Sequence, residues 1–346
     1  MAKENFMHKQ KQSRKLFSHR EPGLIDLCAF LVLMLAFISS CSSDRESARE
    51  SLYEGTEGLK MSLTSPMREY YISEGGDGSI ETLDIPFVLY LTNLGRAIIE
   101  KDDFKLEISG FDPKIISVSP SNFGEFSMQM NVITLRDSSF EGISLIRPMG
   151  DIKVISGSDL GFRTNRQAKI PGNSYNFNLK LNLCYRYRTY FNDGFTVAPA
   201  GVQQGFIQDK MLDSKDYYEK GQGAPIGIIR VEVSPVGDKI RATFFIKKLD
   251  NVAIYYNKEY APVRAECGDV KFNDRNKVFV SAVQLSDNTR ATCLEKEFYL
   301  NENGEAVIDC IFEGQIAQGT VDTVLLIELE YDVFDSASLA FQLKKI

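Results

Sequence analysis

Phe177-Asn178-Leu179-Lys180-Leu181-Asn182-Leu183-Cys184-Tyr185-Arg186-Tyr187-Arg188 is the stretch that decides the fold. Its odd positions are Phe, Leu, Leu, Leu, Tyr and Tyr; its even positions are Asn, Lys, Asn, Cys, Arg and Arg. A period of two sustained over this length is that of a β-strand with one face on a core and the other toward water. Leu325, Ile327, Leu329, Tyr331 and Val333, alternating with Glu328, Glu330 and Asp332, repeat the pattern further along the chain.

The neighbouring segments repeat as well. Leu59, Met61 and Leu63 alternate with polar residues and stop at Ser65-Pro66; Ile229, Val231 and Val233 do the same and stop at Ser234-Pro235. Ile85, Phe87, Leu89 and Leu91 correspond to Ile240, Ala242, Phe244 and Ile246. Two copies of one unit account for this better than two unrelated domains. Short strands, frequent turn signals and no alternating helices argue antiparallel β-sandwiches. Only residues 208–218 carry a trace of helical period, and residues 123–168 read as edge strands or an elaborated loop of the first unit. Residues 192–223 lose the alternation and are rich in Gly, Gln, Asp and Lys. Gly221-Gln222-Gly223-Ala224-Pro225 therefore marks the boundary. The expected class is all-β, with two tandem antiparallel sandwiches at residues 55–220 and 221–346.

What precedes the first sandwich sets the location. Residues 27–38 are an uninterrupted apolar run, within the range of a secretory signal and too short to span a bilayer. Six basic residues, from Lys3 to Arg20, lie before it, and basic flanks stay cytoplasmic. Everything beyond is expected on the extracytoplasmic face of the cell membrane. Ile38-Ser39-Ser40-Cys41 resembles a lipoprotein signal, which implies that the Cys41 thiol carries the lipid. The other readings are an uncleaved anchor helix and simple secretion. Residues 1–41 are thus the signal or anchor, and the polar residues 42–54 a tether. Translation starting at Met7 leaves this reading unchanged.

Charge and composition narrow the function. The first 41 residues hold six of the 40 Lys+Arg and three of the 47 Asp+Glu, leaving 34 against 44, a formal charge of −10. Such a chain is a poor partner for nucleic acid, whose binding depends on neutralised phosphates. Both histidines, His8 and His19, precede the apolar run. The mature chain therefore lacks the imidazole of Ser-His-Asp and Cys-His nucleophiles and of most catalytic zinc sites. Carboxylate pairs, Ser-Lys arrangements and cofactor chemistry are the enzymatic options left.

The order of features resembles membrane-anchored archaeal surface proteins with tandem immunoglobulin-like or CARDB-like sandwiches. The residues that carry the resemblance are Gly55-Thr56-Glu57-Gly58-Leu59, Gly221-Gln222-Gly223-Ala224-Pro225, and Thr292-Cys293 with Asp309-Cys310 around Asn303-Gly304. It implies architecture and location, and no catalytic residue. It also implies a Cys293–Cys310 disulfide. Cys184, Cys267, Cys293 and Cys310 by themselves allow three connectivities, or four thiols. A strict four-residue turn at residues 301–304 would set Cys293 opposite Phe312, so the implied bond needs a bulge or another loop length.

The remaining candidates are few. Tyr255, Tyr256 and Tyr260 fall in an expected loop and form a possible binding surface. Tyr185, Tyr187 and Tyr190 suggest a sugar platform, but the first two continue a core face, and the chain has no Trp. Asp77, Asn192-Asp193-Gly194 and Asn273-Asp274 offer oxygen ligands without EF-hand spacing and read as turns. Asp102-Asp103 and the Asp213/Asp216 pair read as solvated charge. No catalytic residue, metal or cofactor is assigned. The expected role is binding or scaffolding, with an envelope protein or glycan as partner and the membrane held through lipid or helix. The alternative is a solute- or polysaccharide-binding lipoprotein or a carboxylate-based hydrolase.

Overall fold

The computed structural model describes residues 55–76, 78–119, 122–144, 146–197, 213–217, 222–236, 239–257, 274–313 and 321–346. All regular structure among them is β, apart from one 3-10 turn at Lys101–Asp103. The first strands are β1 (Leu59–Thr64), β2 (Glu69–Ile72), β3 (Val88–Asn93), β4 (Phe104–Ser109) and β5 (Ile116–Ser117). There follow β6 (Asn122–Phe123), β7 (Phe126–Gln129), β8 (Val132–Leu135), β9 (Ile152–Ser156), β10 (Arg163–Thr164) and β11 (Ser174–Val197). Beyond these lie β12 (Asp213–Asp216), β13 (Ile226–Val236), β14 (Lys239–Lys248), β15 (Ala253–Tyr255) and β16 (Lys277–Leu285). The last four are β17 (Ala291–Cys293), β18 (Glu297–Tyr299), β19 (Glu305–Phe312) and β20 (Val321–Lys345).

The alternating stretch at residue 177 lies in β11, which is 24 residues long. It pairs antiparallel with β20 from Ser174↔Lys344 to Val197↔Val321 without a register shift. The strands with matching patterns are therefore each other's partners. At about 3.3 Å per residue the shared ladder runs roughly 80 Å along the strands. Phe177, Leu179, Leu181, Leu183, Tyr185, Tyr187, Phe191 and Phe195 are buried on β11, with Leu325, Ile327, Leu329, Tyr331 and Val333 on β20.

Each end of the ladder gains its own neighbours. β4 pairs with Lys180–Tyr185 of β11, and β16 pairs with Leu325–Glu330 of β20. A three-stranded sheet in the order β1-β3-β9 accompanies the first half of the chain. A five-stranded sheet containing β13-β14-β19 accompanies the second. The repeat seen in the sequence is thus a repeat of pairing: β1, β3, β4, β9 and β11 recur as β13, β14, β16, β19 and β20. All these strands bury their apolar alternates in one continuous core. Residues Glu50–Ile346 form one compact unit. The boundary expected at residue 221 does not divide that unit, because the ladder carries each half's last strand into the other half.

Four local readings are corrected by packing. Residues 192–197 continue β11, and Phe191 and Phe195 are buried despite the polar residues between them. Residues 213–216 form a strand on β13, in a segment whose trace of helical period predicts otherwise. The β2–β20 pairing is parallel, the exception in an otherwise antiparallel set of pairings among the described residues. The chain also leaves the five-stranded sheet after β17, places β18 against β16 in the large sheet, and returns as β19. The turn at residues 301–304 thus joins two sheets and sets no hairpin register. Cys293 pairs directly with Cys310, and the two form a disulfide.

One edge is guarded by a charge. Lys153 on β9 is buried, ion-paired with Glu125 and Asp151, and its Nζ lies 5.1 Å from the Phe140 ring centroid. An inward charge on an edge strand discourages pairing with another chain.

Candidate functional site

The two halves meet at three buried tyrosines, and the site begins there. Tyr185, Tyr187 and Tyr331 lie in the middle of the ladder, where strand alternation aims all three inward. The Leu59 amide donates to the Tyr185 hydroxyl at 3.1 Å. The Ala97 amide donates to the Tyr187 hydroxyl, which in turn donates to the Gly223 carbonyl, each at 3.1 Å. The Thr189 hydroxyl donates to the Ile226 carbonyl at 2.6 Å, so Tyr331 supplies the proton of its 3.0 Å bond with Thr189. Tyr331 also accepts from the Ile226 amide at 3.3 Å. Three hydroxyls therefore satisfy backbone groups of the entering segment, the β3–β4 loop and the connection at residues 222–226. Burial raises the pKa of each well above the usual phenol range, so all three stay neutral.

Glycines make the approach possible. A Cβ on Gly95 would overlap the Tyr187 hydroxyl and the Gly223 carbonyl. Gly223 has φ +62°, a conformation that L side chains adopt at a cost. Asn93, fully buried, donates to the Ala97 carbonyl at 2.7 Å and accepts from the Gly95 amide at 3.2 Å, fixing the intervening turn.

The opposite face of the ladder, expected to meet water, is largely covered at its centre. Arg186 Nε donates to Asp332 Oδ1 at 2.9 Å, and Glu330 lies 3.6 Å from Arg186 Nη1. Arg188 pairs with Glu328 and Glu330. Asp332 is 1% exposed, and burial pushes its carboxyl up to about 6 against the pull of Arg186. Asp103, read as solvated, is also raised by burial. The Arg186 guanidinium lies 5.6 Å from the centroid of the Tyr256 ring, which stacks on Phe279 at 5.2 Å. Both Asp332 oxygens are occupied, Oδ1 by Arg186 and Oδ2 by Arg186 and the Asn257 amide. The cluster is built as a brace. The signal for it was present as charged even positions on both long strands, but their partnership was not legible.

The residues singled out from sequence do not converge. Tyr255 and Tyr256 are 7% and 2% exposed, so both rings are buried within the fold and offer no exposed binding surface. The loop reading fails for Tyr255, the last residue of β15, which pairs with β20 at residues 332–334; Tyr256 follows the strand and is buried by its stacking on Phe279. Burial pushes Tyr256 up to about 12. Tyr260, Cys41, Cys267 and Asp77 lie outside the described residues. Cys184 is buried and disulfide-bonded. Asp193 accepts from the Tyr217 hydroxyl at 2.6 Å and pairs with Lys215; Asp274 accepts from Asn257 at 3.1 Å. Among the described residues no group of three or more His, Cys, Asp or Glu could hold a metal ion. A cavity of about 410 Å³ lies beside Arg96, Ile98, Arg188 and Tyr190, and one of about 300 Å³ beside Phe123, Glu125 and Lys153.

The chain matches no protein-family model and no curated protein. Among solved structures it is similar to a biofilm associated protein B domain, at 8% identity and a TM-score of 0.19. The match covers 84% of this chain and 86% of that one. A likeness of that size bears on neither fold family nor activity. No helix among the described residues is long and apolar enough to cross a membrane.

Proposed function

We propose that this chain is a surface-tethered extracytoplasmic protein whose two immunoglobulin-like sandwiches, fused through shared strands, act by binding or scaffolding. The observation that carries the reading is the unbroken β11–β20 ladder, which couples both halves while the tether-side segment enters at its centre. A frame of this kind suits holding partners apart or together, since separating the halves requires breaking in-register strand pairs. The Cys293–Cys310 bond and the disulfide at Cys184 support an oxidising compartment outside the cytoplasm. Lipid attachment at Cys41 would supply the anchor.

Photo-crosslinking of the full chain in native membranes tests this role. Recovery of a discrete envelope component, without turnover of envelope polysaccharide or peptide, is the expected result. Robust hydrolysis abolished by one acidic substitution in an intact fold would overturn it in favour of the carboxylate-hydrolase reading. The cavity beside Arg96 and Tyr190 is where the solute-binding alternative would be sought.

A further inference from the structure

We propose that the turn at residues 146–150, together with the outer face of β3 and β9, is a lipid-docking surface that lays this side of the protein on the membrane. The inference rests on the anchored reading given above.

The surface starts from exposed apolar side chains that no packing within the described residues explains. Ile146 is 92% exposed and Met149 71%. On the adjoining sheet, Ile152 and Val154 of β9 are each 49% exposed, and Tyr90 of β3 is 42% exposed. Val154 pairs directly with Tyr90, and Ile152 shares the β9 face with Val154, so these three form a group, into which the turn bearing Ile146 and Met149 leads along the chain. Contiguous exposed apolar groups mark a contact surface.

What selects a membrane is where the tether ends. The Gly55 carbonyl accepts from the Gly223 amide at 2.8 Å, and the Gly58 carbonyl accepts from the Leu94 amide at 2.9 Å. A Cβ on Gly95 would lie 2.8 Å from the Glu57 carbonyl oxygen, and the Gly95 carbonyl itself accepts from the Ile143 amide at 2.7 Å. The first described residues and the apolar segment thus flank the same turn. Residues 42–54, fully extended, reach at most about 45 Å from a lipidated Cys41. An anchor on so short a lead keeps this side of the molecule near the bilayer.

Arg147 is the sole ionisable residue at positions 146–150, whereas Glu125, Asp151 and Asp159 lie beside Ile152 and Val154 on β9, so the cationic turn is the part that meets the headgroups. A cation among Ile, Pro and Met suits the interface of a phospholipid leaflet, with aliphatic side chains in the acyl boundary and the guanidinium at the headgroups. Tyr90 adds an amphipathic ring of the sort favoured at that depth.

The test uses the full chain in vesicles of mixed neutral and anionic phospholipid, read by flotation and by hydroxyl-radical footprinting of methionines. Met130, 85% exposed on the β7–β8 turn, is the internal reference. Oxidation follows exposure, so Met149 should be modified several-fold less than Met130 in vesicles. Ile146→Glu should bring Met149 back toward the Met130 level while flotation and the thermal midpoint stay unchanged. If the chain floats but Met149 oxidises like Met130, the docking surface is refuted and the anchor stands. Protection that rises with protein-to-lipid ratio would assign the surface to a second copy and refute lipid docking. A chain that fails to float refutes the anchor and the docking with it.

Discussion

Arg186 Nε donates to Asp332 Oδ1 at 2.9 Å, joining two strands that the sequence presents as copies of one another 146 residues apart. Strand pairing places the two side chains opposite each other on β11 and β20, and the covering structure removes Asp332 from water. A buried ion pair contributes little net stability when intact, yet breaking it leaves an uncompensated charge. Arg186→Ala should therefore cost about 3–5 kcal/mol in denaturant unfolding. A loss no larger than that of an exposed charge would show that the brace is not formed.

The same carboxyl sets a pH dependence. Burial holds Asp332 at about 6 against an ordinary 3.8, so the folded chain keeps this proton where the unfolded chain has lost it. Its stabilising contribution is complete below pH ~4 and is lost as the pH rises to about 6, a change of roughly 2–3 kcal/mol. Asp332→Asn should flatten this part of the stability profile. Asp103 and Asp335, also raised by burial, would leave a smaller slope of the same sign. Thermal midpoints of both proteins between pH 4 and 7 decide the matter; an unchanged slope would remove Asp332 from the account.

Tyr187→Phe should destabilise by about 1–3 kcal/mol, because the buried Ala97 amide and Gly223 carbonyl lose their shared partner. Gly95→Ala should be worse, since the added methyl meets backbone as well as the hydroxyl. Combining the two should not restore wild-type stability, as the Gly223 and Glu57 carbonyls still obstruct the methyl. Full rescue in the double variant would mean that the hydroxyl alone was the obstacle.

Cys310→Ser should lower stability by about 3 kcal/mol, through a larger unfolded-state entropy, for a bond closing 17 residues. Peptide mapping without reductant should recover the Cys293 and Cys310 peptides linked. Finding both as free thiols in exported protein would contradict the pairing.

Cys41→Ser should abolish lipid modification and release the chain from the membrane fraction. Retention at the unmodified size would favour an uncleaved anchor helix.

Alternation of side chains is a local property, which is why β1, β3, β11, β13, β14 and β20 were legible without coordinates. Phe191 and Phe195 were missed because Asn192 and Asp193 interrupt the apolar signal, although the backbone keeps its period and buries both rings. Tyr255 reads as a loop residue because β15 is three residues long, too short for a pattern to emerge. Its place comes from hydrogen bonds to β20, not from its own composition.

By itself, the order of residues determined the strand class, the core-facing tyrosines, the repeated order of segments and the expected export of the chain. Each follows from the spacing or type of nearby residues. Tertiary structure alone decided that the matching strands pair with each other, that β18 crosses to the opposite sheet, and that Asp332 is buried with Arg186. Partner choice depends on which distant backbones can complete a ladder and which faces are left to be covered. A period of two, the same in every strand, carries no information about that.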